Sequence, residues 1–242
     1  MIAAIVRLTL RSLLNRRRSI LMLLLALLPV LIALLVRLAG RSADPTRIEI
    51  GILDALVVRT VLPLVALVLG TSAVGAELED GTAVYLLAKP IPRWTIVLAK
   101  LIAAGGLAAL LVGPSTLVTG LLIAGDQGGG ARIAFAYGAA AVVGAFLYAS
   151  VFVAASVGSG RALIAGLIYT LLWEGLLAGL FAGSRAFSIR EYTIGLAALL
   201  DPGRIIAPLD PATTLVGCVA VFGIAFVLAT RWLAAFQVRA AE

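Results

Sequence analysis

Along most of this chain apolar residues follow one another without alternation, and polar positions arrive in short bursts between long uncharged runs. The runs fall at 19–36, 60–76, 101–125, 133–160, 162–184 and 212–230, and only Glu174 interrupts the fifth. Crossing a hydrocarbon core of ~30 Å takes about 20 apolar helical residues, close to the length of these runs. Strands of a membrane barrel alternate apolar and polar side chains with period two. The Leu, Ala, Val and Gly of these runs do not, so the pattern predicts six transmembrane helices.

Two segments depart from that pattern. In residues 1–18, Ile2, Ile5, Val6, Leu10 and Leu13 recur at helical spacing while Arg7, Arg11 and Arg18 fall on another stripe. This predicts an interfacial helix with its cations toward lipid headgroups, followed by Arg16, Arg17 and Arg18 anchoring the first span. Between the fifth and sixth runs, 192–200 is mostly apolar but too short to cross. Turns at Asp201, Pro202 and Gly203 and at Asp210 and Pro211 bound it. The expected form of 185–211 is an external loop carrying a short re-entrant or interfacial helical segment before the last helix. The fold class is therefore an all-α integral membrane protein, with one transmembrane domain over 1–242. Pro29, Pro63 and Pro114 lie inside spans, where neighbouring groups of a bundle can satisfy the carbonyls they free.

Composition strengthens the assignment to lipid. With 62% hydrophobic residues, 13% charged and a mean hydropathy of +1.15, the chain cannot cover a water-facing surface with polar groups. The first apolar run is long and no small-residue cleavage site follows it, so it is expected to stay as a span. With the N-terminus on the cytoplasmic side, eleven Lys and Arg residues fall inside and seven outside. The positive-inside rule then places both termini in the cytoplasm of a multi-pass cell-membrane protein. The net charge of +7 reflects this topology and contact with anionic lipid, and no aromatic-interleaved basic patch points to nucleic acid.

The sequence also excludes several chemistries. It has no Gly-x-x-x-x-Gly-Lys-Ser/Thr phosphate loop, no histidine and one cysteine, Cys218, in the last run. Nucleotide hydrolysis by this chain, a metal centre and a disulfide framework therefore lack their residues. Ser115, Ser150 and Ser156 have no histidine to activate them. Inside the apolar runs, Glu174 near the middle of the fifth costs at least ~2.5 kcal/mol if unpaired, so it must face protein or water. Arg59, at the start of the second, is separated from it in depth by a gap that a long arginine side chain can span. A buried structural pair, a carboxyl bonded to a backbone carbonyl and the polar wall of a substrate path all fit these two residues. Gly175, Gly179 and Gly183 on the same span form a small-residue repeat suited to close helix contact, within the monomer or with a second copy.

The densest polar segment is 70–100, where Glu77, Glu79 and Asp80 precede Gly81 and Thr82, and Lys89, Pro90, Pro92, Arg93 and Trp94 precede the third span. Gly75, Glu77, Gly81, Thr82, Leu86, Leu87, Pro90, Arg93 and Lys100 reproduce a Gly-x-Glu-x-x-x-Gly-Thr, Leu-Leu, Pro-x-x-Arg and Lys series. In this the chain resembles the permease subunits of ATP-binding-cassette type-2 transporters. The resemblance implies an exporter's transmembrane subunit that forms the substrate pathway, pairs with a second permease chain and docks on two copies of a separate ABC ATPase. No cofactor is expected in this chain, with ATP and Mg held by the partner. Residues 77–94 would be the cytoplasmic coupling segment, with Glu77, Glu79, Asp80, Gly81, Thr82, Tyr85, Leu86 and Leu87 meeting the ATPase. The fifth span would lie at the permease dimer contact. The alternatives are an ATP-independent channel or carrier, which needs a more polar path than Arg59 and Glu174 supply, and a membrane scaffold for an ATPase that moves nothing.

Overall fold

The computed structural model describes residues 2–14, 16–40, 44–79, 91–125, 130–177 and 182–239. The described residues are helical, without a strand. In chain order they form α1 (Ile2–Leu13), α2 (Arg16–Leu38), α3 (Pro45–Ile52), a π-helical segment Leu53–Val61 and α4 (Leu62–Glu79). There follow α5 (Arg93–Ala124), α6 (Gly130–Gly158), α7 (Ala162–Ile168), a second π-helical segment Tyr169–Leu177, a 3₁₀ turn Ala182–Phe187, α8 (Ile189–Leu200) and α9 (Pro211–Arg239).

Five helical stretches are long and apolar enough to cross a membrane: Ile20–Leu38, Pro45–Gly75, Arg93–Ala124, Gly130–Gly158 and Pro211–Ala235. The fifth expected run appears as the shorter apolar helix Ala162–Leu177. Its geometry changes from α to π at Tyr169, and the glycines expected to extend it have poor helix propensity.

The second run begins far earlier than expected. Charged residues 47–59 had suggested an external segment, but Asp44 caps Arg47 N–H at 3.1 Å and Pro45 opens α3. From there the helical path continues through the π segment into α4. Its charges are accommodated by protein: Glu49 is buried, Asp54 pairs with Arg190, and Arg59 reaches the carbonyl of Gly175.

The core lies where α4, α5 and α6 meet, with Tyr137, Tyr148 and Phe152 wholly buried beside Leu62, Leu67 and Ile96. Gly70 permits the closest approach of α4 to α6, because a Cβ there would stand 2.8 Å from Phe152 Cβ. By contrast, α2 and α9 present long apolar faces to their surroundings, including Leu35 and Val219. The helix α1 buries Ile5, Thr9 and Leu13, one residue per turn, and packs on α5 and α4. The prolines are tolerated as bundle packing requires: α2 and α5 continue through Pro29 and Pro114. In the turn loosened by Pro29, the Ser115 hydroxyl of α5 donates to the carbonyl of Ala26.

Candidate functional site

Polar side chains concentrate at the two ends of this bundle. At one end, α4 stops and α5 begins at Arg93; at the other, α3 begins and α8 packs across α6 and α9.

At the Arg93 end, α4 is tied to both central neighbours through its own backbone. Lys100, 2% exposed on α5, donates from Nζ to the carbonyl of Ala73 at 2.5 Å. Ser156 on α6 donates from Oγ to the carbonyl of Thr71 at 3.0 Å. A buried ammonium must be hydrogen-bonded, and carbonyls near the C-terminal end of a helix carry the negative end of its dipole. The last turns of α4 therefore lie against α5 and α6 at two polar staples. Glu77 and Glu79 occupy the end of α4 immediately beyond them. Asp80, Gly81, Thr82, Tyr85, Leu86 and Leu87 lie outside the described residues.

At the α8 end, Glu174 is 1% exposed. Its Oε1 accepts from the Tyr169 hydroxyl at 2.8 Å and from Ile189 N–H at 2.9 Å, and its Oε2 accepts from the Ser188 hydroxyl at 2.5 Å. Tyr169 and Glu174 are five residues apart, the spacing that an i→i+5 helix brings across one turn. Ser188 and Glu191 have the sequence of a capping box. Ser188 Oγ accepts from Glu191 N–H at 3.3 Å, but the Glu191 carboxylate turns instead to Arg190, 3.5 Å away. Glu174 thus supplies a second cap from another element and satisfies the first N–H of α8. Trp173 Nε1 donates to Phe187 O at 3.3 Å and Ser184 Oγ to Leu177 O at 3.1 Å, so the π segment and the 3₁₀ turn are stapled along their length.

Arg59 does not close on the Glu174 carboxylate. Its Nη2 donates to the carbonyl of the next residue, Gly175, at 2.6 Å. The two π segments therefore meet through one guanidinium and one backbone oxygen. The expected glycine face is also altered: four-residue spacing makes a stripe on an α-helix, whereas Gly175 is π-helical, Gly183 lies in the 3₁₀ turn and Gly179 is outside the described residues. In the monomer a Cβ on Gly175 would meet only the carbonyl of Thr170, and one on Gly183 would meet nothing within 4 Å.

A cavity of about 590 Å³ opens beside α8. Its polar wall comprises Asp44, Arg47, Asp54, Tyr137, Arg185, Arg190, Glu191 and Arg204, and Ile50, Ile194, Ile205, Ile206 and Pro208 supply apolar surface. Arg190 Nη2 bonds both Asp54 oxygens, at 3.1 and 3.3 Å. Burial opposes the charge of this guanidinium, yet Asp54 and Glu191 more than offset it and hold its pKa above the ordinary value. Burial pushes the Glu191 carboxyl up, against the pull of Arg190. Glu49 lies nearby and is 1% exposed, with its oxygens against Gly120 on α5 and Gly130 on α6, where any larger side chain would collide. Its Oε1 has no hydrogen-bond partner among the described residues.

A family model described as ABC-2 family transporter protein matches residues 10–220. The chain belongs to that family. No curated protein matches it. This ABC-2 protein is accordingly a multi-pass membrane component of a transporter, distinct from the ATPase subunit that hydrolyses nucleotide. Within the ABC-2 chain, sequence reasoning identified Glu174 and Arg59 but missed the cavity residues at 44–54 and 185–204. Their charges balance in number along the sequence, and only the folding of α8 onto α3 and α6 shows that they converge.

Proposed function

We propose that this chain is the transmembrane subunit of an ABC exporter in the cell membrane, forming the substrate pathway with a second permease chain and coupled to two ATPase subunits. The family match over 10–220 carries this reading. The placement of α4 and α5 supports the coupling role, because the 77–94 segment joins two central helices stapled near its base by Lys100 and Ser156. In this reading Glu77, Glu79, Asp80, Gly81, Thr82, Tyr85, Leu86 and Leu87 meet the ATPase, which alone binds ATP and Mg. Closure of the ATPase pair pushes this segment, and α4 and α5 move against the rest from an inward-open to an outward-open state. Substrate that favours one state must in turn alter nucleotide affinity.

Both termini are cytoplasmic, α1 lies in the interface, and Ala162–Leu177 with the residues after it forms a sixth span. Its glycines, open in the monomer, contact the second permease. Glu174 and Arg59 mark the polar boundary where that span meets the pathway. Reversing Glu77 and Glu79 to lysine tests the central claim. Co-purification with the ATPase should fall about tenfold, the loss of roughly 1.4 kcal/mol of association, while insertion is retained. Unchanged association and unchanged transport-stimulated hydrolysis would defeat the coupling role.

A further inference from the structure

The cavity beside α8 has more positive charge than its internal pairs consume. Asp54 and Glu191 are both engaged by Arg190, and Asp44 is engaged in capping α3 through Arg47 N–H. Arg47 and Arg185 also line the cavity, and neither has an ion-pair partner among the described residues. Arg204 adds a third guanidinium on the same wall, with Asp201 3.9 Å away. These arginines come from α3, the 3₁₀ turn and the segment after α8, so they converge from three elements on one space. Its volume of about 590 Å³ is within the usual range for a small-molecule site, roughly 300–1,000 Å³.

Planar guanidinium forks recognise oxyanions with paired hydrogen bonds, and phosphate matches several of them at once. The remaining wall is apolar. Ile205 is buried and Ile206 is 91% exposed at the rim, which suits a ligand with a charged head and a hydrocarbon part. We infer that the α8 cavity binds a phosphate-class oxyanion between Arg47, Arg185 and Arg204, with the isoleucine rim favouring one carried on an amphiphile. This site is separate from the ATPase contact and stands whether or not the coupling role holds.

Native mass spectrometry of the detergent-solubilised full chain tests it, with phosphatidic acid, phosphatidylcholine and inorganic phosphate as probes. Phosphatidic acid should be retained over phosphatidylcholine, and the double variant Arg47→Gln, Arg185→Gln should weaken it about tenfold, the effect of losing one charge-assisted contact. Arg47→Lys with Arg185→Lys keeps both charges and should recover part of the binding. Arg132→Gln, at the same end but outside the cavity wall, should bind as the unaltered chain does. Competition by inorganic phosphate would assign recognition to the free anion; loss of phosphatidic acid on Ile206→Ser without such competition would assign it to the amphiphile. Equal binding of both lipids, or a folded double Gln variant that binds phosphatidic acid undiminished, would overturn the proposal.

Discussion

Lys100 and Glu174 are both buried charges on helices that line the core, yet they are held in opposite ways. The Lys100 ammonium donates to the carbonyl of Ala73 on a neighbouring helix, a type of acceptor that recurs at every turn of α4. The Glu174 carboxylate collects two hydroxyls and one N–H from three residues, each in a fixed place. A helix that slides or tilts by a turn offers a lysine another carbonyl, but no small shift of α8 offers Glu174 another Ser188 and Ile189. The Arg93 end is therefore built to tolerate relative motion of α4 and α5, and the α8 end is built to resist it.

The contrast breaks most sharply at Glu174. Glu174→Ala leaves Ile189 N–H and the Tyr169 and Ser188 hydroxyls buried without their acceptor, and should lower stability by on the order of 3 kcal/mol or more. Glu174→Gln retains one acceptor oxygen for Tyr169 and Ile189 and should cost far less. Thermal unfolding in detergent checks both. If Ala and Gln destabilise equally, the negative charge itself holds the segment, and the cap does not.

A smaller effect is expected at the other end. Lys100→Met keeps the apolar stem and removes the ammonium, so a charge-assisted hydrogen bond worth about 1.5–3 kcal/mol is lost together with the cost of burying the charge. The net change in melting should be modest. Cross-linking between α4 and α5, with cysteines at Ala73 and Ala104, should instead report a wider spread of separations. A Lys100→Met protein with unaltered spread and a large stability loss would make Lys100 a rigid clamp like Glu174 and remove the contrast.

How far the sequence foretold these ends follows from the range of the contacts. The apolar runs require only local counting, and five reappear as helices long enough to cross. Glu174 was legible as a residue that must face protein because its environment is set by the twenty apolar neighbours around it in the chain. The start of α3 at Pro45 was not, since counting charge at 47–59 cannot reveal that Asp54 finds Arg190, 136 residues away. The two π segments were equally hidden: their i→i+5 register depends on Pro63 entering just after the first and on Glu174 reaching α8 from the second. Arg59 was recognised as a residue needing a partner, but a backbone oxygen, Gly175 O, answered it. Sequence carries no signal for which carbonyl a helix leaves within reach.

The least disruptive test uses a polar contact at the α8 end that owes nothing to distant elements. Asp210 precedes α9 and accepts from Thr213 N–H at 2.9 Å and from the Thr213 hydroxyl at 2.6 Å. Those hydrogen bonds favour the carboxylate and lower its pKa below the ordinary value of 3.8. A carboxylate depressed on folding lends stability above its unfolded pKa and loses it as pH falls through the lower, folded value. Asp210→Ala should therefore leave the unfolding midpoint almost unchanged while speeding amide exchange at Thr213, and the native chain should show the same local opening in acid, with a midpoint below 3.8. Asn, which still accepts at an N-cap, should slow exchange again and abolish its acid dependence. A global loss of stability from Asp210→Ala would mean that the first turn of α9 is coupled to the Glu174 clamp, and the rigid end would then extend across the whole of α8 and the segment that follows it.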